Sequence, residues 1–192
     1  MRTMQSITLL GYALLGLLHG KASSGYDLRK IFTETPLGRF SDSPGAIYPA
    51  LRRLEERQLI IEDQVVRPSK RRRKPLQITP GGVAALKAWL RSPVERADVT
   101  SHMDTLMLKF AFMDGVLGET ATLRFLRSFQ RELNAYIPLL ASYVTAESSS
   151  LSRSGQLALE SGWRGYKAQS QWVAHAISVY GGTTKCLQTV GE

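Results

Sequence analysis

The chain has 192 residues, 43% of them hydrophobic and 21% charged, a balance that suits a globular protein with a real core and excludes wholesale disorder. A single cysteine, Cys186, excludes a disulfide framework and a cysteine-rich zinc site. His19, His102 and His175 are too scattered to make a ligand-spaced motif, so neither a metal nor a metalloenzyme is expected. The charge is one-sided: residues 1–92 hold 16 Lys and Arg against 7 Asp and Glu, which is the whole net charge of +9, whereas residues 93–192 hold 9 of each. A first half this basic draws a polyanion, most often nucleic acid.

The first element is the apolar run 7–18, ITLLGYALLGLL, of 12 residues. A bilayer-spanning helix takes about 20. Arg2 before the run and Ala22-Ser23-Ser24 after it also fit a signal peptide. The helical pattern resuming in residues 25–32 favours a buried first helix, so the chain is expected to be cytoplasmic, with no membrane partner. Ser23, Ser24 and Gly25 break that helix, and Ser24 with Asp27 resembles a capping box. A second helix then has Tyr26, Leu28, Ile31 and Phe32 on its apolar side and ends at Pro36-Leu37-Gly38.

Ser43 as N-cap and Pro44 at the first helical position open a third helix. Its inward face is Ile47, Leu51, Leu54 and Gln58, with Pro49 expected to kink or shorten it. Leu59–Ile61, Val65–Val66 and Leu76–Ile78 read as strand, and the run Arg67–Lys74 between the last two reads as a hairpin tip carrying five basic residues in SKRRRK. Thr79-Pro80 caps a fourth helix with Val83, Leu86, Trp89 and Leu90 inward, and Ser92-Pro93 closes it. Three helices, a hairpin and a helix make a winged helix-turn-helix.

Residues 93–104 read as a polar connector. A helix with Leu106, Phe110, Met113 and Leu117 follows, interrupted at Gly118. A long helix from Glu119 carries Leu126, Phe129, Leu133, Ile137, Leu140 and Val144, with a kink expected from Pro138 near Asn134. After a break at Ser148–Ser150, the last helix repeats Leu159, Trp163, Tyr166, Ser170, Val173, Ile177 and Tyr180 in a heptad stripe that ends at Gly181-Gly182. The fold class is therefore mainly α with a small β-hairpin. The domains are expected at 1–92 (winged helix), 93–104 (connector), 105–182 (helical dimerisation region) and 183–192 (tail).

Several phrases resemble the PadR-like transcriptional regulators. ALLGLL (Ala13–Leu18) with SGYDL (Ser24–Leu28) is similar to that family's opening, PGAIYPALRRLEERQLI (Pro44–Ile60) to its third helix, and ITPGGVAALKAWL (Ile78–Leu90) to the helix after its wing. Gln58 stands where the family usually ends its third helix in glycine. The resemblance implies a bacterial dimeric repressor, often released by a small-molecule inducer or a stress signal.

With Ile47, Leu51 and Leu54 inward, the third helix turns Tyr48, Pro49, Arg52 and Arg53 outward. The second helix of a helix-turn-helix lies in the major groove of double-stranded DNA, and its early residues meet base edges. Tyr48 suits a phosphate or a thymine methyl, and either Arg52 or Arg53 suits a bidentate contact to guanine. The other reading of this face is a solvated surface with arginines paired to Glu55 and Glu56. The DNA-binding set is Ser43, Tyr48, Pro49, Arg52 and Arg53 with the wing residues Lys70, Arg71, Arg72, Arg73 and Lys74, whose like charges repel unless an anion faces them. The homodimer set is Leu126, Leu133, Trp163, Tyr166, Val173, Ile177 and Tyr180. Phe110, Phe112, Trp163 and Tyr166 suit ordinary packing better than an inducer pocket. No catalytic constellation or phosphate-cradling loop is present, so neither an enzyme nor a cofactor is expected. A non-specific RNA-binding or architectural module is the alternative, which the neutral, heptad-bearing second half argues against.

Overall fold

The computed structural model describes residues 6–40, 44–63, 75–147 and 150–182. The chain divides into two compact units, Met1–Ser92 and Pro93–Glu192. No described helix is long and apolar enough to cross a membrane.

In the first unit, α1 (Leu9–Gly20) starts where Thr8 Oγ1 accepts from the Gly11 N–H at 3.1 Å. It is buried on nearly every side, as its unbroken apolar run requires. Ser24 caps α2 (Gly25–Glu34), accepting from the Asp27 N–H at 3.2 Å. The expected capping box is only half formed, because the short Asp27 carboxylate takes the Ser24 hydroxyl at 2.6 Å rather than a backbone N–H. A 3-10 turn at Pro44–Ala46 precedes α3 (Ile47–Glu56). The α-helix therefore begins three residues later than Pro44. Pro49 consequently falls in the first turn, where no intrahelical partner exists for the N–H it lacks, and the helix is shortened rather than broken.

Gln58 is not on the inward face of α3. The helix ends before it, and Gln58 has φ +56°, the only positive value at a non-glycine position among the described residues. The Gln58 N–H reaches the Glu55 carbonyl at 2.8 Å and the Leu59 N–H reaches the Leu54 carbonyl at 2.9 Å, which together are a Schellman C-cap with Gln58 at the glycine-favoured position. A left-handed L-residue costs about 1–2 kcal/mol, partly offset when glycine's greater unfolded-state freedom is counted. Gln58→Gly is therefore expected to raise stability by about 0.5–1 kcal/mol. A chemical-denaturation midpoint equal to or below that of the wild type would contradict this account.

β1 (Ile60–Glu62) pairs antiparallel with β2 (Leu76–Ile78) in the register Ile60↔Ile78 and Glu62↔Leu76. The other edge of β2 takes Ser23 through two backbone bonds with Leu76, at 3.1 and 2.9 Å. The expected strand at Val65–Val66 lies outside the described residues. α4 (Pro80–Arg91) follows, capped by Thr79 with Pro80 at its start. Trp89 stacks on Tyr12 of α1 with centroids 4.4 Å apart and planes 7° from parallel. Leu14, Leu15, Leu28, Ile47, Leu54, Leu86 and Leu90 fill the core between these helices.

The second unit is all helix. Residues 93–104 are not a plain connector. They contain α5 (Arg96–Ser101), opened by a reciprocal capping box between Glu95 and Asp98 and anchored by buried Val99. The helices α6 (Met103–Leu117), α7 (Glu119–Glu147) and α8 (Arg153–Gly181) follow. Gly118, at φ +79°, makes the turn between α6 and α7. α7 continues as one helix through Pro138. Contacts such as Tyr136–Tyr166 and Asn134–Ser170 show α7 and α8 running antiparallel. The buried residues of α7 stop at Leu133, and those of α8 are only Val173 and Ala176.

Candidate nucleic-acid interface

The candidate surface begins with the pattern of α3. Ile47, Ala50, Leu51 and Leu54 are buried against α1 and α2, which forces Tyr48, Pro49, Arg52 and Arg53 to the solvent side. Tyr48 is 49% exposed. Among the described residues, neither arginine forms an ion pair and the Tyr48 hydroxyl has no hydrogen bond, so the expected alternative of pairing to Glu55 and Glu56 is not what the side chains do. An unpaired guanidinium can meet an anion or a base edge without first breaking an ion pair.

The residues around β2 hold the end of this helix and the start of α2. Thr79 Oγ1 accepts from the Gly82 N–H at 3.0 Å and donates to the Gln58 carbonyl at 2.8 Å, tying the start of α4 to the end of α3. The Thr79 N–H donates to the Leu59 carbonyl at 3.0 Å. Ser23, bonded to Leu76, fixes the residue before the α2 cap. The strands also bracket the basic segment. Its described ends are Asp63 and Pro75, joined by an N–H to carbonyl bond of 2.8 Å. Ser43 and the wing residues Lys70, Arg71, Arg72, Arg73 and Lys74 lie outside the described residues.

The chain has sequence relatives. The model of the Transcriptional regulator PadR-like family matches residues 14–88. The Negative transcriptional regulator PadR of Bacillus subtilis (strain 168) is 30% identical over 138 residues, spanning 70% of this chain and 73% of its own. The chain belongs to the PadR-like family of transcriptional regulators. Among solved structures, Bacillus subtilis PadR in complex with operator DNA matches at 25% identity and a TM-score of 0.41, over 92% of this chain and 99% of that one. The PadR-like transcriptional regulator BC1756 from Bacillus cereus matches at 23% and 0.42, over 93% and 99%. As a PadR-like protein the chain is a regulator of transcription and not an enzyme.

In the second unit of this PadR-like regulator, the residues expected at a dimer seam mostly serve the chain itself. Leu126, Leu133 and Val173 are completely buried within one chain. The half-buried Tyr166 packs edge-on against Tyr136 at 4.9 Å, and its hydroxyl donates to the Val99 and Thr100 carbonyls at 3.4 and 3.3 Å. Tyr180 meets Phe110, which also packs edge-on against Trp172. Ile177 is half-buried. Trp163 is half-buried under the Lys167 ammonium, 4.4 Å from the ring, with its indole N–H buried and unmatched among the described residues. Of the large apolar side chains left open in this unit, Leu139, Tyr143, Leu157 and Val179 lie elsewhere on the same two helices, and Leu151 lies between them.

Sequence reading missed three further features of the PadR-like fold. Gly82 sits where a Cβ would lie 2.1 Å from the Leu59 carbonyl oxygen; its signal was a Gly-Gly pair opening a helix that glycine otherwise weakens. Gly25 sits beneath the Tyr48 ring. Lys109 is only 3% exposed in the α6 core, and burial pushes its pKa down against the opposing pull of Asp98. A lysine one position from the apolar spacing of its helix gave no hint of that.

Proposed function

We propose that the chain is a dimeric, sequence-specific DNA-binding repressor whose hold on its operator is released by a small molecule bound in the second unit. One observation carries the DNA reading: a recognition helix that turns Tyr48, Arg52 and Arg53 outward, exposed and unpaired among the described residues, beside the base of a loop whose sequence is SKRRRK. The arginines read bases and the loop lies over phosphates. Repression follows the activity named for the Bacillus subtilis relative. The two-helix arm beyond Leu133, in which neither helix fully buries a residue, supports dimerisation through α7 and α8. The unmatched Trp163 indole N–H supports an effector that brings a hydrogen-bond acceptor.

The test is titration of DNA at several salt concentrations, with an operator recovered by selection from a random-sequence duplex pool. If a dimer covers about 6–10 phosphates, the slope of log affinity against log salt is expected at about −5 to −9. A slope shallower than about −2 would remove the basic loop from the interface. Equal affinity for operator and random duplex would leave only non-specific nucleic-acid binding.

A further inference from the structure

Gly25 is the first residue of α2. A Cβ at that position would lie 3.1 Å from Tyr48 Cε1, 3.6 Å from Tyr48 Cδ1 and 3.3 Å from Leu51 Cδ1. The Tyr48 ring thus rests its edge on the bare backbone of α2. Both other parties to this contact are fixed. The start of α2 is held by the Ser23–Leu76 backbone pair and by the Ser24 cap. Leu51 is in the core. Tyr48 alone is free to give way.

We infer that Gly25 is a positioning residue for DNA reading: its missing side chain forms the seat that holds the Tyr48 ring in one orientation, with the hydroxyl carried beyond the helix surface. The inference rests on the reading of Tyr48 as a DNA contact. An exposed tyrosine on a lone helix samples several rotamers and loses that freedom on binding. A ring already braced along one edge has lost it before DNA arrives. A methyl group at position 25 would press on the ring edge at 3.1 Å and shift the ring from its seat.

The experiment is a double-mutant cycle on the full chain with Gly25→Ala, Tyr48→Ala and the pair, titrated against the selected operator duplex, with thermal unfolding of each. Gly25→Ala is expected to unfold at or above the wild-type temperature, since alanine suits a helix better. It is expected to lose operator affinity by about fivefold to tenfold, an ordinary coupling for residues in contact. Tyr48→Ala is expected to lose at least as much, and the double variant no more than Tyr48→Ala alone. Wild-type affinity in Gly25→Ala, losses that multiply in the double variant, or a collapsed fold would each overturn the seat. A wild-type chain that binds no duplex even at low salt would overturn the DNA reading and this inference with it, whereas multiplying losses in a protein that binds DNA well would overturn the inference alone.

Discussion

Gly82→Ala is expected to unfold the first unit, whereas Gly81→Ala, one residue away, is expected to leave it intact or firmer. At position 82 a Cβ would meet the Leu59 carbonyl oxygen at 2.1 Å, the Leu59 carbonyl carbon at 3.1 Å and Ile78 Cγ1 at 2.7 Å. Two of these are backbone atoms that cannot rotate away, and Leu59 is further held by the Thr79 N–H. α4 would have to lift from Leu59 and β2, opening the Tyr12–Trp89 stack and the Leu86 and Leu90 packing. Overpacking typically costs about 1–3 kcal/mol and more where backbone atoms block the new group, a large share of the stability of a small unit. At position 81 the nearest atom to a new Cβ is Thr79 Oγ1 at 3.6 Å, an ordinary contact. There alanine is expected to add about 0.4–1 kcal/mol by restricting the unfolded chain. Paired urea denaturations check the contrast, and similar midpoints for the two variants would refute the account of the α3–α4 junction.

The second large effect is expected from Leu139→Glu combined with Tyr143→Glu. These residues are one turn apart on α7, 53% and 55% exposed, and Leu157 on α8 is 59% exposed. All three lie on the stretch of the hairpin where neither helix buries a residue. Two helices facing only each other cannot cover their apolar sides, and in the proposed dimer a second copy of the chain supplies the missing surface. Because the side chains are open in the single chain, glutamate there leaves its helical content unchanged. The dimer is expected to split, and affinity for an operator with two half-sites to fall by about 10²–10⁴-fold while affinity for an isolated half-site holds. Half-sites in such an operator are expected about 10–10.5 base pairs apart, or a multiple of that. Val173→Asp is the contrast: it places a charge at a fully buried position and is expected to unfold the second unit. Sedimentation velocity with circular dichroism separates the two. If the chain carrying both Leu139→Glu and Tyr143→Glu still sediments as a dimer, this stretch is not in the interface.

What the sequence made legible was local. The Thr79-Pro80 start of α4, the buried α1 and the outward set Tyr48, Pro49, Arg52 and Arg53 all follow from caps and a 3.6-residue period, which need no knowledge of distant chain. What stayed hidden depends on contacts between segments. Gly25 and Gly82 are needed because Tyr48 and Leu59 come from elsewhere to lie against them. Residues 93–104 looked polar because α5 is short and buries only Val99. The heptad stripe said which residues of α7 and α8 face a helix, but period alone does not tell a neighbour in the same chain from one in another. Leu126, Leu133 and Val173 face their own chain. Gln58 was placed on the inward face by spacing, yet the chain had already turned left-handed there.

The bonds that radiate from β2 separate two kinds of residue. Ser23, Leu76, Thr79 and Gly82 fix where α2, α3 and α4 sit, and none of them lies on the outward face of α3. Tyr48, Pro49, Arg52 and Arg53 lie on that face and support nothing in the core. Selection can therefore rewrite what such a helix recognises by exchanging solvent-side residues, while the scaffold beneath stays under a separate constraint. Gly25 bridges the two sets: on the inferred seat, a lineage that abandons tyrosine at position 48 is also released from keeping glycine at position 25.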